Sequence, residues 1–323
     1  PFNFFIQQIY VHFSSNIHVH IPTKKITCLN YLCSLTSTNM KQIIECVPNI
    51  SEGRDKDKIN TIAQAAAAVP GVMLLDVDPG ASTNRTVITI AGEPEAVLEG
   101  AFQLMKKAQE LIDMRNHKGE HPRQGATDVC PLVPIAGVTL EECAVYAHQL
   151  GERVGRELGI PGYFYEAAAK QEVRANLANC RKGEYEAIEK IATAEWTPDF
   201  GPKEVTESVR KSGITTIGAR GFLVAYNVNL NTTSTRRANA IAFDIREAGR
   251  VLNEGGKPVL DENGEPKRIP GTLKSVKGIG WYIEEYGVAQ LSLNLTNINI
   301  TPVHIAFEES FEAGQGIFDR LII

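Results

Sequence analysis

From Met40 onward, short apolar runs alternate with longer stretches whose apolar residues recur every three or four positions. The first run, "KQIIECVP" (41–48), has the length and β-branched content of a buried strand. "DKDKINTIAQAAAAV" (55–69) carries the helical period, and Pro70-Gly71 stops it. "VMLLDVDP" (72–79) and "RTVITIAG" (85–92) predict two strands joined by a polar loop containing "GASTN". Pro94 stands where a helix tolerates proline, because a first-turn N–H has no helical partner in any case, and the amphipathic stretch 96–114 follows it. "VCPLVPIAG" (129–137) adds a strand, and Thr139 and Glu142 are spaced as a capping box opening a helix to about Leu158. "GYFYEA" (162–167) is a further short strand. This order predicts a ferredoxin-like sheet covered by helices on one face.

The pattern then weakens. Residues 167–221 read as a long connector with one short helix around Glu184 to Ala194, followed by the polar stretch "WTPDFGPKEVTESVRKSG". Connectors of this length inside enzymes often contribute to the site. Periodicity returns with a strand "FLVAYNVNL" (222–230), a helix "STRRANAIAFDIREA" (234–248) stopped by Gly249, and a charged hairpin turning at Asn263-Gly264. Two strands around Glu285 to Gly287 and a last helix from "TPVHIAFEESFEAG" complete the half. The element order βαββα occurs twice. The expected fold class is therefore α/β (α+β): two similar ferredoxin-like βαββα subdomains, 40–220 and 221–323, with a substrate cleft or tunnel between them.

Composition narrows the function classes. The 323 residues are 43% hydrophobic and 22% charged, an ordinary globular balance. No apolar run reaches about 18 residues, so no membrane partner is expected. A net charge of −5 with scattered Lys and Arg gives no footprint for nucleic acid. Six cysteines without a C-x-x-C pair fit a reducing cytoplasm, the expected location. Residues 1–39 stand apart: they contain no acid, only Lys24 and Lys25 as charges, and three of the seven histidines. They are expected to be a non-native or disordered extension, with Met40 as the natural start; the His18-x-His20 pair is not taken as a metal site.

The densest chemistry lies in "NHKGEHPRQGATDVCP" (116–131). His117 to His121 spells H-x-x-E-H, the inverted zinc-peptidase signature, which needs both histidines on one helix face. Gly119 and Pro122 oppose that helix, so the segment is expected to be a loop without metal. Two readings stay open on local grounds: a solvated charged turn, or a site loop using His117, Lys118, Glu120, His121 and Arg123. The loop around Ser82, Thr83, Asn84 and Arg85, after Asp76 and Asp78, is likewise a self-bonded turn or a binding loop in which Arg85 clamps a carboxylate. "GIGW" (278–281) has no helix after it, so it is not expected to be a nucleotide loop.

Taken together, "ECVPNISEG", "LLDVDPGASTNRTVITIAG", "LIDMRNHKGEHPRQGATDVCPLVP", "WTPDFGP", "GARGFLVAYNVNL" and "KGIGWYIEEYGVAQLSLNL" resemble the formiminotransferase family, from about Met40 to Glu309. The resemblance implies two similar α/β subdomains, a homodimer and a tunnel for folate. It implies transfer of the formimino group of N-formiminoglutamate to tetrahydrofolate in histidine degradation, with tetrahydrofolate as co-substrate and no metal. The family's catalytic base falls on His121 and its assisting aspartate on Asp78. Its folate-contacting segment falls on about Gly201 to Gly213, including Pro202 and Lys203. In that chemistry Asp78 or Glu120 holds the amidinium charge, and Arg85, Lys118 or Arg123 grips the substrate carboxylates, with Asn84 in the pocket and His117 either lining it or bonding within the loop. Two other activities compete: formyl transfer between glutamate and 5-formyltetrahydrofolate, and folate binding without catalysis. The sequence has no counterpart of the cyclodeaminase domain fused in the animal bifunctional enzyme, so the transfer alone is expected. The ending "QGIFDRLII" departs from the family's continuation, so the second subdomain is expected to be truncated or to use a substitute strand.

Overall fold

The computed structural model describes residues 41–317, and the expectations for residues 1–39 and for the end of the chain lie outside them. Strand β1 (Ile43–Cys46) continues past Pro48 as β2 (Asn49–Ile50). Helix α1 (Lys56–Ala67) starts where the Asp55 carboxylate accepts from the N–H groups of Asp57 and Lys58. Strands β3 (Val72–Gly80) and β4 (Arg85–Gly92) form a hairpin, and α2 (Pro94–Leu111) follows with proline in its first turn. After a 3-10 turn at Met114–Asn116 come β5 (Thr127–Ala136), α3 (Leu140–Glu157) and β6 (Gly162–Glu166). The capping box at Thr139 and Glu142 is formed in both directions.

These strands make one sheet in the spatial order β3, β4, β1 with β2, then β5. Neighbours here are all antiparallel. The inner face buries Ile44, Ile88, Ile90 and Leu132 against Ile62, Val97, Leu104 and Leu150 of α1, α2 and α3. Each such fully buried branched side chain contributes about 1.5–3 kcal/mol over an exposed position.

The expected connector is more ordered than its composition suggested. It contains α4 (Glu172–Ala175), α5 (Leu177–Cys180), a 3-10 segment at Tyr185–Ala192, α6 (Glu207–Ser212) and the strand β7 (Thr215–Ala219). β7 lies between β5 and β6 and is parallel to both. Every residue of β7 is buried, so it has no alternation of period two to read. On the outer face, Tyr163 and Tyr165 of β6 pack with Cys180, Ile188, Ile191 and Val209 of the connector. The expectation of helices on one face is corrected at this end of the sheet, which is covered on both.

The second half has β8 (Val224–Asn229), α7 (Thr235–Ile245), small strands β9 (Arg250–Val251), β10 (Asn253–Glu254), β11 (Lys257–Pro258) and β12 (Arg268–Ile269), then β13 (Val276–Ile283), β14 (Val288–Leu295) and α8 (Val303–Ile317). Its sheet runs β13, β14, β8, all antiparallel. α7 and α8 cover one face through Ala238, Ile241, Ile245 and Ala306. "GIGW" has a packing role: a Cβ on Gly280 would lie 2.4 Å from the Asn239 nitrogen, so glycine lets α7 sit on the strand. The Asn239 amide bonds Gly280 N and O at 3.0 and 2.8 Å, occupying backbone groups on the sheet's edge.

Lys277, Ile279 and Trp281 share the face of β13 opposite Gly278 and Gly280. Lys277 Nζ pairs with Glu166 of the first half at 3.7 Å. No helix of the described residues is long and apolar enough to cross a membrane.

Candidate active site

Three loops meet where β2 ends and β4 and β5 begin. Ser51 donates its hydroxyl to Gly125 O at 2.7 Å, and Gly53 N donates to Asn84 Oδ1 at 3.0 Å. Asn84, at φ +47, gives its amide N–H to Lys118 O at 2.8 Å. The short polar side chain that tolerates a left-handed backbone therefore also ties the 117–126 loop down. Gly119 is fitted against it: a Cβ would stand 2.2 Å from Thr83 O. Gly119→Ala is expected to cost about 1–3 kcal/mol in urea unfolding and to lower turnover, because His121 rides on the same loop. Unchanged stability and turnover would show that the loop absorbs the methyl.

The two histidines of this loop have separate fates. His117 is 8% exposed, and both ring nitrogens are engaged. Arg123 Nε, which only donates, meets His117 Nδ1 at 3.3 Å, so His117 Nε2 carries the hydrogen given to Asn84 O at 2.9 Å. Burial holds its pKa below the usual value. The residue bonds within the loop, and its backbone is extended (φ −77, ψ 132) rather than helical. The single helix face that an inverted zinc site requires is not formed.

His121 is half-buried, with Nδ1 2.7 Å from Pro122 O. The carbonyl can only accept, so Nδ1 is protonated and Nε2 carries the free lone pair. Burial, then the charges of Arg85 and Arg181, push its pKa down to about 3; the Pro122 carbonyl and Asp128 act weakly the other way. The Trp281 ring stands 6.3 Å from the His121 ring, centroid to centroid. Trp281 is held by a chain of bonds, its Nε1–H donating to Gln290 and the Gln290 amide donating to Asn229, each at 2.8 Å.

A charged cluster acts electrostatically on His121. Asp128 is fully buried, and its Oδ2 accepts from Arg85 Nη1 at 2.6 Å and from Arg181 Nη2. Its Oδ1 accepts from Gln124 N at 3.0 Å, while Arg85 Nε donates to Asn49 Oδ1 at 3.1 Å. Burial works to raise the Asp128 pKa, but Arg181 and Arg85 overcome it and hold the carboxyl below its usual range. Desolvation lowers Arg85 to about 10.

The other expected site residues divide. Arg123 is gripped by Glu186, which receives both Nη1 and Nη2 at 2.8 Å, and by Glu184 at 2.9 Å, so its guanidinium is already committed. Lys118 is exposed and, with Gly119, Arg123, Glu184 and Glu186, lines an open pocket of about 400 Å³. Glu120 is exposed, its N–H donating to Ser82 O. Asp78 is largely open to solvent on β3; what cover it has, with Asp76 beside it, raises its carboxyl pKa. Among the described residues the Asp78 side chain makes no hydrogen bond or ion pair. Gly213 docks on Gln124 and Gly125, close to the His121 loop. Gly201 and Pro202 instead border a pocket of about 500 Å³ beside Glu152 and Arg156 of α3, and Lys203 is exposed.

Sequence reasoning missed Asp128, Arg181, Glu184, Glu186 and Trp281. Asp128 sits inside a quoted motif, where an acid at the start of an apolar strand was the available signal. Arg181, Glu184 and Glu186 carry no period or spacing that marks them.

A half-buried imidazole, protonated at Nδ1 and under the charges of two arginines, thus stands on a mixed α/β scaffold. The sequence pattern described as formiminotransferase domain, N-terminal subdomain, matches residues 43–220, and that described as formiminotransferase domain matches residues 225–317. The chain belongs to the formiminotransferase family. It is 49% identical to the formimidoyltransferase-cyclodeaminase of Gallus gallus, covering 84% of this chain and 47% of that protein. It is 42% identical to the glutamate formimidoyltransferase of Streptococcus pyogenes serotype M1, covering 85% of this chain and 84% of that one. The glutamate formimidoyltransferase of Thermoplasma acidophilum is also 42% identical, over 82% and 80% of the two chains. The chain spans about half the length of the Gallus gallus relative.

Proposed function

We propose that the protein is a glutamate formimidoyltransferase, which moves the formimino group of N-formimino-L-glutamate to tetrahydrofolate in histidine degradation. Family membership and the names of the relatives support the reading, and the observation that carries it is His121 with Nε2 free beside Arg85 and Arg181. The transfer joins a folate amine nitrogen to the amidine carbon and breaks that carbon's bond to the glutamate nitrogen. One proton must leave the attacking nitrogen and one must reach the departing nitrogen. His121 Nε2 is the group proposed to take the first and return the second, with Nδ1–H on Pro122 O fixing the ring. Asp78, with its raised carboxyl pKa, is proposed to face the cationic amidine, and Lys118 to meet a substrate carboxylate.

The proposal extends to the assembly around the site. The strand order β3, β4, β1, β5 supports a ferredoxin-like first subdomain, and the order β13, β14, β8 supports its counterpart after residue 220. The Lys277–Glu166 and Trp281–His121 approaches support a substrate cleft between the two. A cytoplasmic homodimer binding folate through 201–213 completes the reading. Mixing the protein with tetrahydrofolate and N-formiminoglutamate and following 5-formiminotetrahydrofolate tests it. Product in proportion to enzyme is expected, and a folded protein giving none would overturn it.

A further inference from the structure

Two guanidiniums share one carboxylate in the cluster that acts on His121. Arg85 and Arg181 both bond Asp128 Oδ2, leaving an excess of one positive charge in a place where Asp128 is fully buried and the Arg85 and Arg181 side chains are 7% and 15% exposed. The donors are not used up. Arg181 Nε is buried without a partner, and Arg181 Nη1 and Arg85 Nη2 make no hydrogen bond among the described residues. The adjacent Gln124 amide is also fully buried, with no partner for its nitrogen or its oxygen among the described residues. Buried donors around surplus cationic charge call for an anion.

We infer that Arg181 and Arg85 form a subsite for a carboxylate of the formimino donor, with Arg181 as a specificity-determining residue. The inference rests on the proposed transferase reading. It has a consequence for the reaction. The charged groups facing His121 are Arg85 from β4, Asp128 from β5 and Arg181 after α5, with the neutral Trp281 ring from β13. In the free protein burial, and then two cations that outweigh Asp128, make His121 a weak base. A carboxylate seated between the guanidiniums cancels the excess, so the donor itself returns the part of the proton affinity that the arginines remove. Donor binding and base activation are one event.

Arg181→Gln tests this, because it leaves Arg85 and Asp128 as a charge-neutral pair and so spares the fold. The expected result is a KM for N-formiminoglutamate raised about 10- to 100-fold, with the tetrahydrofolate KM unchanged for mono- and polyglutamated forms. Arg181→Lys should recover part of the loss. A second readout needs no turnover: the His121 imidazole is titrated by NMR with and without saturating L-glutamate. Its midpoint should rise by about one to two pH units in the native protein and stay in place in Arg181→Gln. A rise in the folate KM alone would assign the subsite to the folate tail and overturn the proposal. A fall in kcat with both KM values unchanged would reduce Arg181 to a structural role and overturn it too. A native protein without turnover whose His121 still responds to glutamate would overturn the transferase reading and leave the carboxylate subsite standing.

Discussion

His121→Asn is expected to lower kcat by about 10²- to 10⁴-fold, the usual worth of a positioned proton carrier, while leaving the unfolding midpoint nearly unchanged. The side chain is half-buried and makes one hydrogen bond among the described residues, to Pro122 O. Asparagine can keep that bond through its amide N–H, and it leaves no buried charge exposed, so the loss falls on catalysis. The pH profiles sharpen the test. kcat/KM reports the free enzyme and kcat the complex. With the free imidazole held down at about 3 by burial and by Arg85 and Arg181, the acid limb of kcat/KM set by His121 lies far below neutrality. The acid limb of kcat should lie higher, once a donor carboxylate has offset the arginines, and His121→Asn should abolish it. A folded variant that keeps more than about a tenth of the native kcat would move the base elsewhere, and Asp78, with its raised carboxyl pKa, is the next group to test.

What the sequence disclosed followed the physics of each element. β1 and α1 to α3 stand out because one side of each is buried, and one-sided burial writes a period into the letters. β7 is buried on both sides and five residues long, so its letters could not be told from a loop. The loop nature of 117–126 was readable because Gly119 and Pro122 act on the backbone locally. The contacts of its side chains were not readable. Arg123 looked like a ligand-facing group by type, yet it is held by Glu184 and Glu186, some sixty positions away, and of the two roles open to His117 the bonds at both its nitrogens give the one within the loop. Such pairings depend on tertiary placement of the connector, and no spacing rule reaches across it. The same holds for Trp281, brought to His121 by the second sheet.

Asp128→Asn is the substitution expected to cost the most stability, about 3–5 kcal/mol in urea unfolding at neutral pH. The native carboxylate is fully buried and answers Arg85, Arg181 and the Gln124 N–H together. Asparagine preserves the volume but leaves two guanidiniums without a counter-charge. The cost is therefore mainly that of uncompensated cations, which gives a way to verify it. In the Asp128→Asn background, Arg181→Met should recover part of the loss, because it removes one of the two, so the pair should be strongly non-additive. Acid gives a second check. The folded carboxyl is held below its unfolded value, so its contribution is complete above about pH 4 and is lost as pH falls through the folded value. The gap between native and Asp128→Asn stability should accordingly be full at pH 7 and narrow in strong acid. A gap that stays constant from pH 7 into strong acid, or strict additivity with Arg181→Met, would mean that shape and hydrogen bonding hold this region together. The surplus charge on which the proposed carboxylate subsite depends would then have to be set aside.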